Sequence, residues 1–453
     1  MKEREDSAET SLPIQQEENE AGEARRGART RSTQPQPERA ILIGVYRSGR
    51  ERGAAQDSLE ELEALATAAG AVTILKTLQE RDRPDPGRFI GKGKVEMVKS
   101  QVAEQTADLL IFDDNLTPRQ KANLEDESHC RVIDRTQLIL DIFAKRAQTR
   151  EGKLQVELAQ LKYLLPRLTG FGVELSRLGG GIGTRGPGET KLEVDRRRLK
   201  RRIQLLDDEM DKVRRTRLLH RERRKQHAIP AVALVGYTNA GKSTLFTRIT
   251  QVETFVGDQL FATLDPLLRR TRLPQGQEVD FSDTVGFIKK LPHELVMAFR
   301  ATLEEVNEAD LLLHVVDVSQ ERYKEQMLAV DQVLTEIGTP DIPRIHVFNK
   351  IDRLTAGARP AIEESREYTV FVSALTGEGM DTLIRAIADQ LESRVRRACF
   401  EFPYDKGDLV AWLHSKGKIL NEKYTDTAIH IEADIAQSLL DTHPDVAAHL
   451  KKA

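Results

Sequence analysis

The chain has 453 residues, 39% hydrophobic and 31% charged, with a formal net charge of −3 at pH 7. That length predicts about three domains, and the apolar share suffices for packed cores, while no run approaches the ~20 apolar residues of a membrane-spanning helix. The two cysteines, Cys130 and Cys399, lack metal-ligand spacing; they fit a reducing, cytoplasmic compartment and exclude a disulfide scaffold.

Residues 1–38 are strongly polar and lack the apolar core of a signal peptide. Such a composition cannot bury enough surface to offset chain entropy, so a disordered extension is expected. From Ala40 the texture changes. "AILIGV", "AVTILKTLQ", "ADLLIFDD" and "CRVIDR" read as strands. Between them, "SLEELEALATAAG" has helical spacing and a glycine stop at Gly70, "VEMVKSQVAEQ" is helical, and Thr117-Pro118 opens a third helix with a cap followed by proline. This alternation predicts a small parallel α/β domain over residues 39–140.

Residues 141–228 differ. Leu154, Leu158, Leu161, Leu165 and Leu168 form one apolar seam at 4, 3, 4, 3 spacing, and Leu199, Ile203, Leu206, Met210 and Val213 form a second. Two such seams predict an antiparallel helical hairpin. Its tip is the glycine-rich run "GFGVELSRLGGGIGTRGPGET". Residues 145–226 hold 23 Lys and Arg against 11 Asp and Glu, so a basic segment lies inside an otherwise acidic chain.

From Ile229 the α/β pattern returns, with strands in "AVALVG", "EVDFSD", "ADLLLHVVDVS", "RIHVFN" and "TVFV". Residues 396–453 mix strand and helix and read as a small α+β appendage. The turn "GYTNAGKS" follows the first of these strands and precedes a helix, the context in which G-x-x-x-x-G-K-[ST] cradles a phosphate. Gly236, Tyr237, Thr238, Asn239, Ala240, Gly241, Lys242, Ser243 and Thr244 make up the expected cradle. Backbone N–H groups converge on the anion and the helix adds its positive end. Lys242 reaches the β- and γ-phosphates, and Ser243 offers a hydroxyl to Mg²⁺.

Three later pieces select the base. "DTVG", Asp283, Thr284, Val285 and Gly286, ends a strand with a carboxylate for Mg²⁺ and a glycine N–H for the γ-phosphate. "NKID" supplies Asn349, Lys350 and Asp352, whose carboxylate can accept from guanine N1–H and the 2-amino group. Adenine offers neither, and an unpaired carboxylate is costly. "SAL", Ser373, Ala374 and Leu375, can turn a backbone N–H on guanine O6. GTP is the nucleotide these pieces favour, with ATP as the alternative. "FATLDP" contributes Phe261, Ala262, Thr263, Leu264 and Asp265 as a switch segment, with Thr263 as the threonine that joins Mg²⁺ when the γ-phosphate is present. Lys242, Thr263 and Gly286 are the expected catalytic groups, and Ser243, Thr263 and Asp283 the metal set. Phe287 follows "DTVG" where many GTPases carry a water-orienting glutamine, which predicts slow hydrolysis by the protein alone. Asn239 stands where some GTPases hold K⁺, with a structural asparagine as the equal alternative.

The order of these motifs resembles the translation-factor-like GTPases over residues 229–395. The run "GGIGTRGPGETKLEVDRR", followed by "VGYTNAGKSTLF", "FATLDP" and "DTVGFI", resembles the HflX family of ribosome-associated GTPases; "GKGKVEMV" and "DRTQLILDIFAKRAQTREGKLQVELAQL" extend the resemblance upstream. It implies an α/β protein: a P-loop GTPase domain preceded by a small parallel α/β domain with a helical hairpin, and followed by the α+β appendage. It also implies binding to the large ribosomal subunit and its rRNA, and splitting or rescue of stalled or idle ribosomes by a cytoplasmic monomer. Gly181, Arg185, Gly186, Lys191, Arg196, Arg197 and Arg198 are the RNA contacts expected on that reading. A solvated, salt-bridged helix face is the alternative for the basic run. A role in subunit assembly, a switch for a protein effector and an ATP-using RNA remodeller are the alternatives for the whole chain.

Overall fold

The computed structural model describes residues 37–168, 191–226, 229–251, 260–290 except 262, 266 and 275, 305–339, 342–354, 368–392, 395–436, and 440–451 except 441 and 442. The first sheet is parallel throughout, in the order β2 (Val72–Glu80), β1 (Arg39–Tyr46), β3 (Leu109–Phe112), β4 (Arg131–Asp134). Ile41, Leu42, Ile43, Leu110, Ile111 and Phe112 are fully buried, as near-continuous apolar runs covered by helices on both faces must be. Those helices are α1 (Arg52–Ala69), α2 (Lys92–Gln105), α3 (Pro118–Ser128) and α4 (Arg135–Arg146). Gly70 ends α1 in the left-handed conformation at φ 92°, and Thr117 starts α3 with a reciprocal capping box to Gln120.

Helices α5 (Arg150–Leu168) and α6 (Lys191–Gln226) pair through Leu154, Leu158, Leu206 and Met210, with Leu161 and Ile203 beside them. The seam is shorter than the spacing predicts: Leu165, Leu168, Leu199 and Val213 lie outside that cluster. The other face of α5 is apolar too. Val156, Ala159 and Tyr163 enter the core of the N-terminal sheet, so α5 is fixed on both sides. Arg202 reaches Glu157 with two bonds at 2.7 and 2.8 Å, and Lys162 pairs with Asp207 at 3.0 Å, lacing the helices together.

The second sheet runs β10 (Thr369–Phe371), β9 (Arg344–Asn349), β8 (Leu311–Asp317), β5 (Ala231–Gly236), β7 (Glu278–Asp283), β6 (Leu267–Arg272). All neighbours are parallel except the β6–β7 edge pair. Helices α7 (Lys242–Thr250), α8 (Tyr323–Glu336) and α9 (Met380–Glu392) accompany it. The third sheet is antiparallel, in the order β12 (Lys418–Tyr424), β13 (Ile429–Ala436), β11 (Val395–Phe402), β14 (Leu450–Lys451), with α10 (Gly407–Lys416) and α11 (Pro444–Ala447). Among the described residues no helix is long and apolar enough to cross a membrane.

The first two sheets share a core. One apolar cluster runs from Leu62, Leu65 and Phe143 to Tyr237, Phe261 and Phe287, and the Phe143 and Phe261 rings meet edge to face at 4.7 Å. Beside it lies a charge network around Arg135, which is 1% exposed. Its guanidinium bonds Glu61 on α1 and lies 2.8 Å from Asp113 at the end of β3. Lys290 reaches the same Asp113 at 2.5 Å and Asp114 at 2.8 Å. Burial works against both cations, and the carboxylates outweigh it and hold the two pKa values above their ordinary range.

Removing one partner from a buried pair leaves a charge uncompensated. Arg135→Ala is expected to destabilise the chain by about 3–5 kcal/mol in denaturant titrations; a loss within about 1 kcal/mol contradicts the network's role. Cys130 is buried and its thiol is pushed up to about 11, chiefly by burial. Cys399 is exposed. At pH 8 a thiol reagent should therefore titrate Cys399 at once and Cys130 only after denaturation.

Candidate functional site

Strand β5 delivers the chain to Gly236, and six residues later α7 begins at Lys242. Gly241 holds φ 92°, and a Cβ there would stand 2.2 Å from Asn349 Nδ2, so only glycine fits. Asn239 takes a left-handed φ of 59° and is exposed. Lys242 is buried and curls over the turn, its Nζ donating to the carbonyls of Gly236 at 3.1 Å and Tyr237 at 2.9 Å. Burial lowers its pKa to about 8, with the Asp283 carboxylate opposing.

Asp283 ends β7 with no exposed surface. The Ser243 hydroxyl donates to its Oδ2 at 2.7 Å and lies 2.7 Å from Thr263 Oγ1. The other carboxylate oxygen, Oδ1, is buried and has no hydrogen-bond partner among the described residues. Burial raises the Asp283 pKa against the pull of Lys242 and Ser243. An orphaned buried carboxylate oxygen beside two hydroxyls is an all-oxygen set, and it fits a hard cation such as Mg²⁺. Ser243, Thr263 and Asp283 would hold that ion, which when bound neutralises charge on the β- and γ-phosphate oxygens.

The pieces expected to read the base also converge. Asn349 donates to the Ala240 carbonyl at 2.9 Å and accepts from Ala374 N–H at 2.9 Å. Lys350 spans from Asn239 O at 2.7 Å to Asp317 at 2.8 Å. Asp352 accepts from the Ser373 hydroxyl at 2.5 Å. The "SAL" loop differs in one respect from its expected role. Its Ser373 N–H already donates to Glu378 O and its Ala374 N–H to Asn349, so these amides brace the loop internally. Leu375 is 72% exposed.

Several residues expected on the nucleotide side have packing or bonding partners within the protein. Phe261, Leu264 and Val285 are buried in the cluster shared with the N-terminal sheet. The Thr284 hydroxyl donates to Leu234 O at 2.6 Å. Asp265 faces α5: its Oδ2 accepts from Gln148 N–H and Thr149 N–H, both at 3.0 Å, and its Oδ1 accepts from the Thr149 hydroxyl. Thr149 itself caps α5, its Oγ1 accepting from Gly152 N–H at 3.0 Å, and Asp265 fixes that cap from elsewhere in the chain. Phe287 is 2% exposed and cannot meet an attacking water. Thr244 lies in the first turn of α7. Ala262, Gly181, Arg185 and Gly186 lie outside the described residues; Lys191 begins α6, and Arg196, Arg197 and Arg198 are exposed on it.

Glu61, Asp113, Arg135 and Lys290 escape a sequence reading. The only local hints are the paired acids "DD" at the end of β3 and the paired lysines after "DTVGFI".

Four family models match along the chain: GTP-binding GTPase N-terminal over residues 56–144, GTP-binding GTPase Middle Region over 146–224, 50S ribosome-binding GTPase over 231–350, and HflX C-terminal domain over 361–441. A GTPase HflX of Caldanaerobacter subterraneus subsp. tengcongensis is 48% identical over 398 residues, covering 88% of this chain and 91% of that one. The chain belongs to the HflX family of GTPases. The Escherichia coli K12 GTPase HflX is 45% identical, over 82% of this chain and 87% of its own. The crystal structure of SsGBP with GDP aligns over 78% of this chain and 98% of that one, at 25% identity and a TM-score of 0.44. As an HflX family member the protein is a GTP-hydrolysing enzyme.

Asp352→Asn is expected to weaken GTP binding on the order of a hundred-fold or more, while ATP binding stays unchanged; retained GTP affinity would show that guanine is not read there. Chelating Mg²⁺ should abolish hydrolysis, and Ser243→Ala should raise the magnesium concentration that restores it.

Proposed function

We propose that this protein binds the large ribosomal subunit through its basic hairpin and uses GTP to separate or rescue stalled or idle ribosomes. The match of residues 231–350 to a 50S ribosome-binding GTPase supports a ribosomal partner. The observation that carries the coupling is the hold of Asp265 on Thr149, the cap of α5. Asp265 stands two residues from Thr263, which lies beside Ser243, and it engages the amides of Gln148 and Thr149 where the chain enters the hairpin. Thr263 joins Mg²⁺ when the γ-phosphate is present, so ordering of that segment by GTP is felt at the start of the hairpin.

The hairpin's outer face suits rRNA. Arg202 bonds Glu157, and Arg196, Arg197 and Arg198 are exposed on the same helix, with Arg198 3.7 Å from Asp195. Exposed arginines facing phosphate gain affinity by releasing counterions. Roles for the glycine-rich run around Gly181, Arg185, Gly186 and Lys191 belong to the same proposal, as do a cytoplasmic location and a monomeric state.

The ribosome supplies what the protein alone lacks. Phe287 is locked in the core, so no side chain at that position orients water, and the ribosome stimulates hydrolysis. Mg²⁺ is the cofactor, and K⁺ at Asn239 is a further part of the proposal.

Arg196, Arg197 and Arg198 changed together to Ala should weaken binding to large subunits and flatten the slope of log K against log salt by about two to three units. An unchanged affinity and slope would remove these residues from the interface. Hydrolysis should be faster in KCl than in NaCl, and equal rates would remove the potassium role from Asn239.

A further inference from the structure

Tyr237 is the second residue of the cradle, and its ring lies in the apolar cluster with Val285, Phe287 and Ile288. Its hydroxyl works outside the cradle. It accepts from the backbone N–H of Lys289 at 2.8 Å and donates to Glu61 Oε1 on α1. The other oxygen of Glu61 is held by the buried Arg135. Burial first, and then the Glu61 carboxylate, push the phenol well above its ordinary pKa. The proton therefore stays on the phenol and is committed to Glu61, which leaves an oxygen lone pair for Lys289.

That bond holds the segment on which hydrolysis depends. Residues 287–289 join the cradle at three points: Phe287 N–H to Gly236 O at 3.1 Å, Thr238 N–H to Phe287 O at 2.7 Å, and Lys289 N–H to the Tyr237 hydroxyl. The first two are main-chain bonds that most sequences can make. The third needs a tyrosine that reaches across and an acid that fixes its proton. Gly286 stands directly before this segment, packed so tightly that a Cβ on it would lie 2.8 Å from Thr238 Cα and 3.0 Å from Lys242 Nζ. A small tilt of residues 287–289 is thus passed directly to the Gly286 amide, which faces the transferred phosphoryl group in this class of reaction.

We infer that Tyr237 is a positioning residue for GTP hydrolysis, and that Glu61, on the N-terminal α/β unit, acts through it to hold the segment after Gly286 against the cradle. A site works when the groups that touch the reacting atoms are locked by a supporting layer of hydrogen bonds. Here that layer comes from another part of the chain. Nucleotide binding itself uses cradle amides and the guanine-reading loops, which do not need the phenol. The effect therefore falls on the chemical step rather than on affinity.

The test is steady-state and single-turnover GTP hydrolysis by the full chain without ribosomes, alongside fluorescent-GDP binding and thermal melting. Tyr237→Phe keeps the ring and every ion pair. It should lower kcat on the order of ten-fold, with KM and GDP affinity within about two-fold of the parent. Glu61→Ala should lower kcat by a similar factor, and the double variant should fall no further than either single change. Glu61→Gln, which keeps an acceptor for the phenol, should restore most of kcat. Glu61→Ala also leaves Arg135 short of a carboxylate and should melt earlier, so the decision rests on Tyr237→Phe. An unchanged kcat in that variant overturns the inference. So does a raised KM at constant kcat, or an additive double variant. Because the assay contains no ribosomes, its outcome is independent of the proposed ribosomal role.

Discussion

A buried guanidinium is tolerated only when carboxylates surround it, and Arg135 draws together Glu61 from α1 and Asp113 from β3. Both acids also reach into the GTPase unit, through Tyr237 and Lys290. The carboxyl ends of an open parallel sheet, where the strand order reverses, are where such folds ordinarily receive a ligand. In the N-terminal sheet the order β2-β1-β3-β4 puts that point between β1 and β3, beside Asp113. Its occupant is Lys290, from the segment that follows Gly286. The ligand edge of one sheet is the seat of a segment that follows a strand of the other.

The same logic holds at the first switch segment. Phe261 packs on Phe143 of α4, and Asp265 holds Thr149, the cap of α5. Residues 261–265 and 287–290 are therefore fastened to the N-terminal region and hairpin, the first by an aromatic contact and the Asp265 carboxylate, the second by an ion pair and a phenol. A ligand shifts a conformational equilibrium only through contacts that differ between states. Here those contacts are few and nameable. The helix that receives the cap is buried on two faces, one against α6 and one against the N-terminal core, so displacement at its first turn is carried along a stiff element.

The strands and caps of the N-terminal sheet were legible because local chemistry suffices for them: unbroken apolar runs for buried parallel strands, Gly70 for a left-handed stop, Thr117 and Gln120 for a capping box. Helix α4 was not, since "RTQLILDIFAKR" is apolar around much of its circumference and buries seven residues, which blurs the helical period. Strand β6 was missed for the opposite reason. It is largely exposed and is held at the edge by pairing with β7 rather than by a pattern of its own. The motifs expected to hold metal and base are legible because each places its donors at the end of a strand. The contacts of Asp265, Glu61 and Lys290 join positions more than 100 residues apart. No local spacing encodes them, and nothing around Asp265 in the sequence points to Thr149.

The most direct measurement is GTP hydrolysis by the purified protein, alone and with large ribosomal subunits, with whole ribosomes followed in parallel by light scattering. The account predicts a slow rate alone, strong stimulation by large subunits, and a fall in scattering that requires GTP. A rate that large subunits leave unchanged would contradict it and leave a GTP switch whose partner lies elsewhere.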